Sequence, residues 1–148
     1  MREALKLAAH AAQLGEVPVG ALIVSQDQVL GSGFNQRESL NNPLAHAEIL
    51  AIETAAKAKQ AWRLSDCTLY VTLEPCPMCA GAILNSRISR VVYAAPDPKA
   101  GAAGSLFNLL QDSRLNHRCE VSPGICQKES AELLSSFFLN LRRKKKNC

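Results

Sequence analysis

Three side chains that must reach one point in space constrain this chain more than any other feature. They are His46, followed directly by Ala47 and Glu48, and the pair Cys76 and Cys79 well downstream. Cysteines at i and i+3 in a first helical turn lie on one side of the helix, so two thiolates can share one ion. The pair alone leaves three readings open: a redox dithiol, half of a structural zinc site, or two unrelated core cysteines. With His46 the donors number three, the count used when zinc keeps a position free for water instead of closing a structural site with four. The other histidines, His10 in an early helical stretch and His117 in a polar loop, read as surface or core residues rather than a missing ligand.

Both ligand sets fall where helices are expected to start, at Ala45-His46-Ala47-Glu48 and at Glu74-Pro75-Cys76-Pro77. Unpaired amides and the helix dipole favour negative charge there, so thiolates and a metal-bound hydroxide both gain. Glu48 is the candidate acid/base: zinc brings the pKa of a bound water towards ~7, but something must still carry protons. A second role stays open, that of a first-turn glutamate complementing the dipole, because i and i+2 of a regular helix do not share a face.

The rest of the chain alternates between strand and helix patterns. Glu3–Gln13 has helical spacing and stops at Gly15. Val17–Ser25 and Val29–Phe34 are β-branched-rich runs split by Gln26-Asp27-Gln28, a hairpin pattern. Ala45–Lys59 is a helix with Ile49, Leu50, Ile52 and Ala56 on its apolar side. Cys67–Leu73 reads as a strand, Met78–Leu84 as a helix entered through Pro77, and Arg90–Ala95 as a strand. Ser105–Leu110 reads as a short helix, Glu120–Ser122 as an edge strand and Gln127–Lys146 as a long final helix. A hairpin followed by alternating strands and helices predicts an α/β fold, a three-layer α/β/α sandwich with a mixed sheet of about five strands.

With 148 residues, 47% of them hydrophobic and 20% charged, the expectation is one folded domain over residues 1–148. The net charge of +4 is smaller than the positive charge of Arg142–Lys146 alone, so basicity is concentrated in a tail at 142–148. Such a run suits either RNA phosphates or a solvated helix end. No apolar run of about eighteen residues is present to span a bilayer, and the opening residues do not resemble a signal peptide. A cytoplasmic protein with six reduced cysteines, some of them metal-bound, is therefore expected.

His46-Ala47-Glu48 and Pro75-Cys76-Pro77-Met78-Cys79 match the H-x-E and P-C-x-x-C signature of zinc-dependent nucleobase deaminases. More narrowly, the chain resembles the tRNA-specific adenosine deaminases of the cytidine deaminase-like superfamily. The segments that carry this are Gly15–Ala21, Ala45–Ile49, Leu69–Ile83 and Asp97–Leu106. The resemblance implies hydrolytic deamination of adenosine to inosine at the anticodon wobble position, with a zinc-bound hydroxide attacking C6 of adenine and Glu48 shuttling protons. It implies one Zn2+ per subunit held by His46, Cys76 and Cys79, a tRNA anticodon arm as substrate, and a homodimer.

It further implies substrate contacts from Asn35, from Asp97 and Lys99 to the neighbouring nucleotide, and from Phe138 at the RNA pocket. On local chemistry alone Asn35 is a turn former, Asp97 and Lys99 are solvated loop residues, and Phe137 and Phe138 include a core residue. Two rival functions keep the same residues. One is a zinc deaminase acting on a free base or nucleoside of guanine or cytosine type. The other is a non-catalytic, zinc-stabilised RNA-binding module, against which the presence of Glu48 argues.

Overall fold

The computed structural model describes residues 1–146, and the apolar runs of the sequence become its strands. The order is α1 (Arg2–Gln13), β1 (Gly20–Ser25), β2 (Gln28–Phe34), α2 (Ala47–Lys59), β3 (Thr68–Leu73), α3 (Pro77–Asn85), β4 (Arg90–Ala95), β5 (Glu120–Pro123) and α4 (Gln127–Lys146). A single turn of 3-10 helix, Leu109–Gln111, precedes β5. The expected basic tail is the last turn of α4 up to Lys146; Asn147 and Cys148 lie outside the described residues. Among the described residues no helix is long and apolar enough to cross a membrane.

The five strands form one mixed sheet in the order β2-β1-β3-β4-β5. β1 runs antiparallel to both β2 and β3, whereas β3, β4 and β5 are parallel; α3 makes the crossover from β3 to β4, and a long connection with a single 3-10 turn makes that from β4 to β5. The helices α2 and α3 cover one face and α1 and α4 the other, which gives the expected three-layer α/β/α sandwich. The hairpin turn is Gln26-Asp27 alone, with φ of 48° and 62°. Two left-handed residues give a turn whose twist matches that of the flanking strands.

Three expectations are corrected by the structure. The ladder of β1 starts at Gly20, not Val17, because Pro18 has no amide and the Val19 N–H closes a tight turn onto the Val17 carbonyl (2.8 Å). The segment Ser105–Leu110 is not a helix: Ala103 bridges Asn108, Leu106 and Phe107 are each 54% exposed, and only Leu110 enters the core. The third concerns which side of α2 is buried. The large residues Ile49, Leu50 and Ile52 are only partly covered, and the buried line is Ala47, Ala51 and Ala55, one turn apart.

That line is small because the strand beneath it is small. A Cβ placed on Gly33 would overlap the Ala47 carbonyl oxygen and lie 2.9 Å from Ala51 N and from Leu50 Cβ. Glycine thus lets the backbone of α2 rest directly on β2, with its first turn over the end of the strand. On the opposite face, the Ser130 hydroxyl at the start of α4 is buried and donates to the Thr72 carbonyl (2.5 Å), tying that helix to β3.

Candidate active site

His46 and Cys76 occupy equivalent local positions, each as the residue that precedes the first turn of a helix. His46 caps α2 with extended φ and ψ (−75°, 151°), and Cys76 caps α3 in the same way (−74°, 172°), with Pro77 as the first helical residue. Proline there supplies a fixed φ and lacks only an amide that would have had no helical partner. Cys79 follows in the first turn of α3, on the side of Cys76.

The imidazole Nδ1 of His46 lies 3.7 Å from Cys76 Sγ and 3.5 Å from Cys79 Sγ, and the three ligand atoms lie within 4.8 Å of one another. A tetrahedral ion with bonds of ~2.3 Å to sulfur and ~2.0 Å to nitrogen separates such donors by about 3.6 Å. The donor set therefore fits zinc in number, softness and spacing, with a fourth position left over. Among the described residues it is the one group of its kind. His10 instead meets the Phe34 ring edge-on, and His117 Nε2 lies 2.7 Å from the Ile88 carbonyl oxygen.

Glu48 is 4% exposed and lines the same cavity as His46 and Cys76. Its sequence spacing from His46 would have pointed the two apart in a regular helix. His46 is extended rather than helical, however, so that restriction does not apply to it. Burial pushes the Glu48 carboxyl up to about 7, while its backbone hydrogen bond and the charge of His46 pull the other way. Cys76 is the opposite case: hydrogen bonding from Cys79, assisted by His46, lowers its thiol to about 4 despite burial. Cys79, which gives that hydrogen bond from an enclosed position, is held in the thiol form until a cation replaces the proton.

The cavity above these residues measures about 720 Å3, room for a nucleoside with space beside it. Every residue expected from the sequence to contact substrate borders it: Asn35, Asp97, Lys99 and Phe138. Asn35 is 6% exposed; its amide donates to Glu16 and to the Val17 carbonyl, both at 3.4 Å, while its Oδ1 has no partner among the described residues. Asp97 turns back on its own loop and accepts the Lys99 and Ala100 amides (2.9 and 3.2 Å). Phe138 is 39% exposed and meets Phe137 edge-on. Arg142, from the basic run, also reaches the cavity wall, as does Arg37 on the other side.

Sequence reasoning passed over two buried carboxylates, Glu74 in the cavity wall and Glu16 hydrogen-bonded to Asn35. Glu16, fully buried, accepts the Ser39 amide and hydroxyl (2.7 and 2.8 Å) and the Glu38 amide (3.3 Å), fastening the loop after Asn35. Burial opposes its ionisation, but those donors hold it below the usual carboxylate range. Glu74, 2% exposed, does the same for the loop after β4. The signal in each case was a charge set beside a buried apolar run, Glu16 before Val17-Pro18-Val19 and Glu74 after Leu69–Leu73.

A helix-flanked mixed sheet carrying three clustered metal-type donors with a buried carboxyl beside them accords with a deaminase architecture, and the family described as MafB19-like deaminase matches residues 1–142. The chain is 51% identical to the tRNA-specific adenosine deaminase of Bacillus subtilis over 99% of its own length and 91% of that protein's. A solved structure from studies of A-to-I editing by tRNA:A34 deaminases at the wobble position superposes with a TM-score of 0.87 at 42% identity, covering 90% of this chain and 97% of that one. A guanine deaminase from Bacillus subtilis, also 42% identical, superposes at 0.64 over 70% of this chain and 66% of its own. The chain belongs to the MafB19-like deaminase family and, within it, to the tRNA-specific adenosine deaminases.

Proposed function

We propose that this chain is a single-domain cytoplasmic enzyme that hydrolyses adenosine to inosine at the wobble position of a tRNA anticodon, releasing ammonia. The observation that carries the reading is the buried Glu48 carboxyl beside three donors spaced for one zinc ion. Bound by His46, Cys76 and Cys79, one zinc per chain supplies an acidified water and a local positive charge. Glu48 takes a proton from the attacking water as it adds to C6 and delivers it to ring N1; it then takes the second proton, from the new C6 hydroxyl, and passes it to the departing amine, leaving the C6 carbonyl and ammonia.

The unpartnered Asn35 Oδ1 accepts from the bound nucleoside, through a ribose hydroxyl or the exocyclic amine, and so recovers the hydrogen bond it lacks. Asp97 and Lys99 meet the neighbouring nucleotide at ribose and phosphate, and Phe138 offers a ring for stacking at the mouth. Arg142 lies where a backbone phosphate would pass. A homodimer, with RNA lying across both subunits, accords with the family.

Inosine appearing in an anticodon stem-loop that carries a wobble adenosine, and not from free adenosine, guanine or cytidine, is the expected result with zinc-loaded protein. The likeness to a guanine deaminase keeps a free-base enzyme as the second reading. Product from free guanine alone would establish that reading and overturn ours. Cys79→Ser should reduce zinc content by at least about tenfold against a competing chelator, since a hydroxyl is a poor substitute for a soft thiolate. Full zinc retention in that variant would mean the metal is held elsewhere.

A further inference from the structure

Strand β3 delivers the chain into the turn that holds Cys76 through a residue that is unexpected in such a place, the buried Glu74. No cation pairs with its carboxylate among the described residues. Its four donors all come instead from one segment: the amides of Asp97 (2.8 Å), Ala103 (3.0 Å) and Ser105 (3.0 Å), and the Ser105 hydroxyl. A Cβ at Gly101 would overlap that same carboxylate and sit 2.5 Å from the Asp97 carbonyl oxygen, so the loop is shaped to admit it. The main chain repeats the connection, with Ala102 N–H donating to the Pro75 carbonyl (2.8 Å). A buried carboxylate costs free energy unless hydrogen-bonded, and these four donors supply that compensation in a geometry that only one placement of the loop satisfies.

The placement is passed on to the cavity wall. The amide that Glu74 holds belongs to Asp97, and the Asp97 side chain in turn fixes the Lys99 and Ala100 amides. We propose that Glu74 is a positioning residue, which locks the 97–105 loop to the metal-ligand turn and thereby sets where the nucleotide next to the reacting base is held. The inference rests on the reading that Asp97 and Lys99 meet that nucleotide. It assigns Glu74 no contact with the reacting atoms, so its loss acts on binding before it acts on the chemical step.

The test compares zinc-loaded wild type, Glu74→Gln and Lys99→Ala by hydrogen exchange, zinc content and steady-state kinetics on a wobble-adenosine stem-loop. A glutamine turns an NH2 donor towards amide donors. The amides of Asp97, Ala103 and Ser105 should then exchange at least about tenfold faster while those of β3 and β4 do not. KM should rise on the order of ten- to a hundredfold, with kcat falling by only about threefold and zinc retained. Ser105→Ala removes one donor from an exposed residue and should show the same pattern at smaller amplitude; it carries the test if Glu74→Gln does not fold. Unchanged exchange of the three amides, or a fall in kcat with zinc loss at constant KM, overturns the proposal. So does a loosened loop with unchanged KM. In that last case Lys99→Ala separates the causes: an unchanged KM there means the segment does not meet RNA, whereas a raised KM leaves Glu74 alone at fault.

Discussion

Glu48→Ala is expected to lower inosine formation by about four orders of magnitude while leaving zinc content as in wild type. General acid–base catalysis contributes ~10²–10⁴-fold, and here one carboxyl serves the water, the ring nitrogen and the leaving amine in turn, so the loss should sit at the upper end of that range. Zinc should stay because the three donor atoms come from His46, Cys76 and Cys79, with Glu48 outside the set. Single-turnover assays with metal analysis check both statements together. Activity within about a hundredfold of wild type would move the proton transfer to another group.

The same carboxyl has a cost that appears in the metal-free protein. Its folded-state pKa is raised from 4.5 to about 7, mainly by burial. Below about 4.5 it is neutral in both the folded and the unfolded chain, and stability is unaffected. As pH rises through the window between those values the unfolded chain ionises freely and the folded one does not, so stability falls, and the deficit levels off above 7. It amounts to about 3 kcal/mol at most. Metal-stripped Glu48→Gln should therefore melt higher than metal-stripped wild type at pH 8, with the gap closing towards pH 4.5. Equal melting temperatures across that range would mean that Glu48 ionises without penalty.

Much of this site was legible in the sequence because metal chemistry is a matter of residue type and short spacing. Cys76-x-x-Cys79 behind a proline and His46 at a helix start singled out three side chains, and the structure brings them together where two helix ends meet. The order of strands and helices was legible for a similar reason: Leu69–Thr72 and Val91–Ala94 are apolar runs that only a sheet between two helical layers covers on both faces. What could not be read were features decided by partners far along the chain. Leu106, Phe107, Leu109 and Leu110 have helical spacing, yet the Ser105 amide and hydroxyl are taken by Glu74, and the segment turns instead. In α2 the eye is drawn to Ile49, Leu50 and Ile52, but the strand beneath it carries glycines and selects the alanine line.

That glycine contact gives the second large expected effect, a change at the sheet that reaches the chemistry through α2. Gly33→Ala should lower stability by about 3 kcal/mol or more and activity by about a hundredfold. The added methyl meets main chain, the Ala47 carbonyl oxygen and the Ala51 amide nitrogen, and backbone cannot rotate aside as a side chain can. The first turn of α2 must therefore lift from β2. Ala47 stands between His46 and Glu48, so the ligand and the acid/base residue travel with it, and a displacement of about 1 Å is enough for such a loss of rate. Zinc affinity should fall in step with activity, because His46 moves relative to Cys76 and Cys79 on a different helix. Gly81→Ala on α3 is the matched control: nothing lies within 4 Å of its added Cβ, and alanine favours a helix by up to about 1 kcal/mol. That variant should melt at or above the wild-type temperature with full zinc and full activity, while Gly33→Ala melts about 10 °C below it. If both alanines behave alike, close seating of α2 on β2 is not what holds His46 and Glu48 at the metal.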